Sequence, residues 1–267
     1  METIAFIGGG NMASAILGGL IAQGMAPAQI IVIDPGADQR AHLQATYGLR
    51  TADDVTAGCA EADTVVLAVK PQVIAEVAER VAGALKGKLL VSIAAGVPIA
   101  RLEALFGPMA IVRTMPNTPA LLGLGATGMF ANDCVDAAQR ARAKTIVEAF
   151  GLCVDLPRED LLDAVTAVSG SGPAYFYLLI EEMIRAGASL GLTREDATML
   201  TLQTALGAAS MAAQADVPPE DLRRRVTSPN GTTHAAITSM QNDGFADMVS
   251  RAMTACRDRA VELGRAE

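Results

Sequence analysis

Thr3-Ile4-Ala5-Phe6-Ile7-Gly8-Gly9-Gly10-Asn11-Met12-Ala13 is the stretch that decides the fold. A short apolar run suited to a buried strand meets three glycines, and a helical pattern follows over residues 12–23. Gly8, Gly10 and Ala13 form G-x-G-x-x-A. Gly8 permits the tight turn, Gly10 lets the backbone approach a pyrophosphate, and Ala13 allows close packing of helix on strand. A helix that starts there directs unpaired N–H groups and a positive dipole end at phosphates. A bare glycine triad is also what a plain tight turn uses. Its place between a strand and a helix makes Ile7, Gly8, Gly9, Gly10, Asn11 and Met12 candidate dinucleotide-binding residues.

Working outward, apolar runs at residues 30–33, 64–69, 89–93 and 110–113 alternate with helical patterns at 38–46 and 72–85. Near-continuous apolar strands separated by helices indicate a parallel sheet buried on both faces, the doubly wound α/β class. A glycine-rich run at 121–130 and a short one at 153–156 extend the sheet, with a helix at 133–150 between them. After about Leu161 the strand signal vanishes. Helical patterns occupy 173–190, 194–214, 219–225, 232–241 and 246–263, broken at Gly191, Pro218-Pro219, Pro229-Asn230-Gly231 and Asp243-Gly244. The expected architecture is α/β: an N-terminal Rossmann-type parallel sheet over 1–160 and a C-terminal all-α domain over 161–267. Residues 199–215 carry no charge at all. A helix apolar all round must be buried, and a domain of this size has few interior helices, so a homo-oligomer interface is expected there.

Composition narrows the function classes. The net charge of −8 opposes binding to a phosphate backbone, so no nucleic-acid partner is expected. Arg223-Arg224-Arg225, the densest basic cluster, reads as a solvated helix face. Cys59, Cys134, Cys153 and Cys256 match no zinc or disulfide spacing, which suits reduced thiols in the cytoplasm and no metal site. The first strand begins without a basic leader, so no signal peptide is expected. The uncharged stretch 114–132 contains Pro116, Pro119, Gly123, Gly125 and Gly128, which argues against a membrane-spanning helix.

Further candidates stand at strand ends, where open α/β sheets hold ligands. Asp34 ends the second strand, in the position of an acid that hydrogen-bonds the adenosine ribose; equally, it suits a cap for the helix after Pro35-Gly36. The first basic side chain beyond it, Arg40, lies a helical turn or more along the chain. Asp34 alone points to NADH, yet the choice between NADH and NADPH stays open. Ala68-Val69-Lys70-Pro71 follows the third long strand, and Lys70 suits either a ligand anion or a solvated loop. Ala94 and Ala95 leave room for a nicotinamide ring, and Asn117 and Thr118 offer hydrogen bonds. In the helical half, Ser169-Gly170-Ser171-Gly172-Pro173 and Thr227-Ser228-Pro229-Asn230-Gly231-Thr232-Thr233 suit either ordinary helix starts or a ligand approach, the latter turn being fit for a carboxylate. His42 reads as a surface residue, and His234 adjoins the hydroxyl-rich turn. No Ser/His/Asp set or paired carboxylates stand out.

Taken together, Phe6-Ile7-Gly8-Gly9-Gly10-Asn11-Met12-Ala13, Ala68-Val69-Lys70-Pro71-Gln72, Met115-Pro116-Asn117-Thr118-Pro119, Ser169-Gly170-Ser171-Gly172-Pro173-Ala174-Tyr175 and Val226-Thr227-Ser228-Pro229-Asn230-Gly231-Thr232-Thr233 resemble the pyrroline-5-carboxylate reductase family. The match runs nearly end to end and in order. The resemblance implies a Rossmann domain joined to a helical dimerisation domain, with dimers that assemble into larger rings such as decamers. It implies reduction of 1-pyrroline-5-carboxylate to L-proline by NADPH or NADH. It places Thr233 at the pyrroline nitrogen as the catalytic residue, Ser228, Gly231 and Thr232 at the substrate carboxylate, and Glu159 as an acid on the substrate side. Asn230 stands where the family usually has glycine, and Asn tolerates the left-handed conformation such a turn needs. His234 replaces a commonly apolar residue.

Two rivals are weaker. β-Hydroxyacid dehydrogenases use a lysine on a helix of the second domain, whereas Lys70, Lys86, Lys88 and Lys144, the complete set here, all precede residue 161. A non-catalytic nucleotide sensor would keep the glycine turn but has no need of the Ser228–Thr233 hydroxyls.

Overall fold

The computed structural model describes residues 2–266. The chain forms β1 (Ile4–Ile7), α1 (Asn11–Ala22), β2 (Ile30–Ile33), α2 (Ala37–Tyr47), β3 (Arg50–Ala52), α3 (Val55–Ala60), β4 (Thr64–Leu67), α4 (Ile74–Val81), β5 (Leu89–Ser92), α5 (Ile99–Phe106), β6 (Ala110–Met115), β7 (Gly125–Ala131), α6 (Ala137–Glu148) and β8 (Gly151–Asp155). The strands make one eight-stranded sheet in the order β3-β2-β1-β4-β5-β6-β7-β8. Every pairing is parallel except β6 with β7.

Alternation along the strands explains the all-apolar runs. Ile4 and Phe6 of β1, with Val32, Val66 and Val91, face a core closed by Ile16, Leu17 and Leu20 of α1, Leu43 of α2 and Ile146 of α6. Ala5 and Ile7, with Ile31, Val65 and Leu67, face a second core closed by Val55 of α3, Ile74 and Val81 of α4, and Leu102 of α5. With both faces covered, the central strands are mostly apolar, and their few polar residues, such as Thr64 and Ser92, are themselves buried. Burial of Phe6 and Ile16, both at zero exposure, contributes roughly 1.5–3 kcal/mol per side chain.

After β8 come α7 (Leu161–Val165), a π turn (Thr166–Gly170), α8 (Gly172–Ser189), α9 (Arg194–Gln214), α10 (Pro219–Arg225), α11 (Thr232–Asn242) and α12 (Phe245–Ala266). Packing divides the chain into two compact units. One holds the chain up to Ser171 and again from Cys256, and the other holds Gly172–Ala255. Within the first unit, Leu162 and Val165 of α7 lie against Gly128 of β7. There the Cys256 thiol also reaches the Ser171 hydroxyl at 3.3 Å.

In the second unit α8 and α9 run as neighbours, Gly187 fitting against Ala197. The uncharged segment is less buried than its composition requires: Met199, Leu200, Leu206 and Met211 are each more than half exposed in the single chain. So many exposed apolar side chains on one helix form the kind of patch that interaction surfaces carry. No helix among the described residues is long and apolar enough to cross a membrane.

Candidate functional site

The glycine turn sits where β1 ends. Gly8 takes φ +99° and donates its N–H to the Ile33 carbonyl at 2.8 Å. A Cβ at Gly8 would lie 2.6 Å from the Ala68 carbonyl oxygen, and one at Gly9 2.7 Å from Leu43 Cδ1. Both positions are therefore closed to side chains by their own neighbours, and Gly8 also by its backbone conformation. Gly10 differs. Nothing lies within 4 Å of where its Cβ would be, and as the N-cap of α1 it offers no side-chain partner to the first N–H groups of that helix. The turn thus presents an open, uncapped helix N-terminus of twelve residues' dipole, the arrangement that accepts a pyrophosphate. Asn11 is exposed and Met12 half-buried in the first turn, while Ala13 is buried.

Other expected residues gather at the same edge, because β1, β4 and β5 are parallel neighbours. Ala68 follows β4 and donates its N–H to the Ile7 carbonyl at 2.9 Å. Val69 is half-buried against the second core, Lys70 is exposed, and Pro71 begins a short 3-10 turn. Ala94, buried, and Ala95, exposed, follow β5. All stand beyond the carboxyl ends of parallel strands, next to the point where strand order reverses between β1 and β4.

Asp34 does two things at once. Its Oδ2 accepts the Gly9 N–H at 2.9 Å and its Oδ1 accepts the Gly36 N–H at 2.8 Å. Gln39 of α2 adds a third tie, its Nε2 donating to the Gly9 carbonyl at 2.5 Å. The loop after β2 therefore holds the glycine turn directly. Arg40, a turn along α2, folds back so that Nη1 donates to the Asp34 carbonyl at 2.7 Å and to the Pro35 carbonyl at 3.0 Å. Neither Gln39 nor this reach of Arg40 was expected from the sequence.

The two motifs Met115–Pro119 and Ser169–Pro173 meet in part. Asn117 Nδ2 donates to the Ser169 carbonyl at 3.0 Å, and its Oδ1 accepts the Ala126 N–H at 2.9 Å. A Cβ at Gly170 would lie 2.5 Å from Met115 Cε. The serine-glycine segment opens α8 at Gly172, as its residues suggest, but the chain ahead of it is already helical from Leu161, and Ser171 donates its N–H to the Thr166 carbonyl at 2.8 Å in a π turn. Such turns are frequent at functional sites.

Glu159 is engaged within the first unit. Its Oε1 accepts the Ile99 N–H at the start of α5 and pairs with Arg113 Nη1, each at 2.8 Å. Arg113 is the one charged residue of the buried strand β6, and sequence reasoning passed over it. A lone arginine inside a buried strand was the available signal, since such a charge needs a partner. Burial raises the pKa of Asp163 nearby; Arg113 opposes this, while Glu159 and Asp160 add to it.

In the second unit the hydroxyl-rich turn precedes α11. Asn230 takes φ +61°, the only positive φ outside glycine among the described residues. Gly231 donates its N–H to the Ser228 carbonyl at 3.0 Å and serves as the N-cap of α11 with no side-chain cap. The first N–H groups of α11 are thus left for an anion, beside Thr232, exposed, and Thr233, half-buried. His234 is exposed. Among the described residues no three His, Cys, Asp or Glu side chains stand close enough to share a metal ion. A cavity of about 350 Å³ lined by Glu2, Asp63, Lys86, Lys88 and Arg142 lies at the amino ends of the strands, away from the glycine turn.

Known proteins resemble this chain over nearly its whole length. Residues 159–263 match the family model for pyrroline-5-carboxylate reductase dimerisation, and residues 3–96 match that for coenzyme F420-dependent NADP oxidoreductase. The pyrroline-5-carboxylate reductase of Pseudomonas aeruginosa is 54% identical over 97% of this chain and 96% of its own. The structure of a pyrroline-5-carboxylate reductase from Coxiella burnetii superposes with a TM-score of 0.95 at 43% identity, covering 98% of both chains. The Plasmodium falciparum pyrroline carboxylate reductase, solved with NADP bound, gives 0.87 at 30% identity over 98% of both chains. The chain is an oligomer-forming oxidoreductase that acts on a small molecule, and it belongs to the pyrroline-5-carboxylate reductase family.

Proposed function

We propose that this chain reduces 1-pyrroline-5-carboxylate to L-proline with Thr233 at the ring nitrogen. NADPH or NADH supplies the hydride when bound. The residues present suit a dinucleotide: Gly8 to Gly10 make a turn that side chains would fill, and α1 begins there uncapped. Ile7, Asn11, Met12, Asp34, Ala68, Val69, Lys70 and Pro71 line its course, and Ala94 and Ala95 leave space for the nicotinamide.

On the substrate side, the open N-terminus of α11 with Ser228, Gly231 and Thr232 takes the carboxylate. The Thr233 hydroxyl fixes and polarises the nitrogen. Water protonates that nitrogen before binding, so the imine carbon is already electrophilic and the protein needs no strong general acid. Its main contribution is orientation, which supplies roughly 7–11 kcal/mol when the reacting groups are well aligned. Glu159 borders the substrate while anchoring Arg113. Residues 1–160 bind the dinucleotide, and 161–267 serve the substrate and the dimer; dimers assemble into a decamer in the cytoplasm.

The observation that carries this reading is the uncapped start of α11 behind a left-handed Asn230, with two adjacent threonine hydroxyls. Its test is the loss of reduced-nucleotide absorbance when 1-pyrroline-5-carboxylate is added. Turnover to proline is expected. Tight nucleotide binding with no turnover on either cofactor would sink the assignment and favour a sensor.

A further inference from the structure

Resting on the dinucleotide reading above, we infer that Arg40 is the residue that recognises the 2′-phosphate of NADP(H), so that cofactor choice is set from inside α2. In folds of this class an acid after the second strand serves the ribose 2′-hydroxyl of NAD, and a nearby arginine serves the 2′-phosphate of NADP. Asp34 by position argues for the first. Its environment argues otherwise: both carboxylate oxygens already accept backbone N–H groups, one from Gly9 and one from Gly36. Those bonds turn the carboxylate inward as a strut of the glycine turn and disperse its charge.

Arg40 completes the case. Side chains on a helix lean toward its N-terminus, and Arg40 does so far enough for Nη1 to bridge the Asp34 and Pro35 carbonyls. The guanidinium is thereby fixed across the loop that follows β2. Only one of its nitrogens is committed to that bridge. Its remaining charge partner, Asp53, is exposed and 3.7 Å from Nη2, a long and weak pair that an incoming phosphate can displace. Asp38, in the first turn of α2, adds a second negative charge that this phosphate must tolerate. The one cation in the cluster therefore decides the balance, and a planar guanidinium suits a phosphate in two-point contact.

The test is equilibrium binding of NADP⁺ and NAD⁺, with 2′,5′-ADP and ADP as fragments, to the wild-type chain and to Arg40→Gln, Arg40→Lys and Asp53→Asn. The wild type should bind NADP⁺ and 2′,5′-ADP more tightly than their unphosphorylated counterparts, and rising salt should narrow the gap. Arg40→Gln should weaken the phosphorylated pair at least about tenfold and leave NAD⁺ within about twofold, which also shows that the variant is folded. Arg40→Lys should fall between, and Asp53→Asn should tighten NADP⁺ alone. Equal changes for both nucleotides in Arg40→Gln, or none, would overturn the role of Arg40. Failure of the wild type to bind either nucleotide would instead overturn the dinucleotide reading itself.

Discussion

Arg113 on β6 and Glu159 ahead of α7 are joined Nη1 to Oε1 at 2.8 Å, with the arginine side chain only 10% exposed. The same carboxylate oxygen holds the Ile99 N–H at the start of α5, so one acid links two elements to a strand. Removing it strands a buried cation and an unpaired helix-start N–H. Glu159→Ala should therefore destabilise the protein by about 3–5 kcal/mol, the range for breaking a buried pair from one side, read by chemical denaturation. Glu159→Gln keeps an acceptor and should lose clearly less. If Glu159 also borders the substrate, the glutamine variant should raise KM while melting near the wild type. A KM equal to the wild type's would confine Glu159 to its structural role.

Gly8 offers a second test. Its φ of +99° and the Ala68 carbonyl 2.6 Å from any Cβ leave alanine no unstrained position. Strain of this kind costs of order 1–3 kcal/mol, and relieving it must move the turn away from Ala68. Gly8→Ala should lower the melting temperature and weaken NADPH and NADH together, measured by nucleotide fluorescence. Gly10→Ala meets no such wall in the protein, so its stability should hold and only nucleotide affinity should fall. A Gly10 variant that binds normally would remove the pyrophosphate from this turn.

The parallel sheet was legible because Ile4–Ile7, Ile30–Ile33, Thr64–Leu67 and Leu89–Ser92 are each buried at every position. A short strand is apolar on both of its faces, as these are apart from Thr64 and Ser92, only when both faces are covered. β3 escaped notice because Arg50–Ala52 is three residues long and half-exposed at the sheet edge. The run at 121–130 reads as one strand, but its first residues belong to a 3-10 turn at Thr118–Leu122 and the strand starts at Gly125. The π turn had no signature either: it is defined by the Ser171 to Thr166 bond, while its serines and glycines look like any helix start. The candidate site was legible as motifs, not as contacts. Spacing picks out Gly8 and Asp34, but the bond between Gly9 and Asp34, and the return of Arg40 to the Asp34 carbonyl, depend on side-chain direction that spacing does not carry.

One buried and one half-buried thiol predict alkaline sensitivity. Burial pushes Cys59 from the ordinary thiol value of 9.0 up to about 12, against a smaller opposing pull from Lys88. Burial, with Glu148 and Asp155 adding, takes Cys153 up to about 11. Above pH 9 the unfolded thiols lose their protons while the folded ones keep theirs, so the native state binds more protons and stability falls as pH rises. For Cys59 the loss is about 1.4 kcal/mol at pH 10 and grows toward pH 12. Denaturation curves between pH 7 and pH 10 should show this slope, and Cys59→Ala should flatten it. At neutral pH, alkylation followed by mass spectrometry should mark Cys134, the exposed thiol, ahead of Cys59 and Cys153.

Thr233 carries the sharpest kinetic expectation. It stands in the first turn of α11, half-buried, next to helix N–H groups that no side chain caps. A hydroxyl there accepts from the protonated imine nitrogen and can donate to that nitrogen once hydride transfer returns its lone pair, and only the hydroxyl matters for that contact. Thr233→Ala should lower kcat/KM about tenfold, the loss of roughly 1.4 kcal/mol expected for one hydrogen bond. Thr233→Ser, which keeps the oxygen, should recover most of it. The loss should fall on kcat if the bond strengthens as the nitrogen gains electrons, and on KM if it serves binding alike in ground and transition states. A neighbour provides the control: Thr232→Ala removes a hydroxyl beside the carboxylate, so its effect should appear in KM and in proline inhibition rather than in kcat. If the alanine and serine variants at 233 are equally impaired, the methyl group rather than the hydroxyl is what the site uses, and the nitrogen contact is wrong.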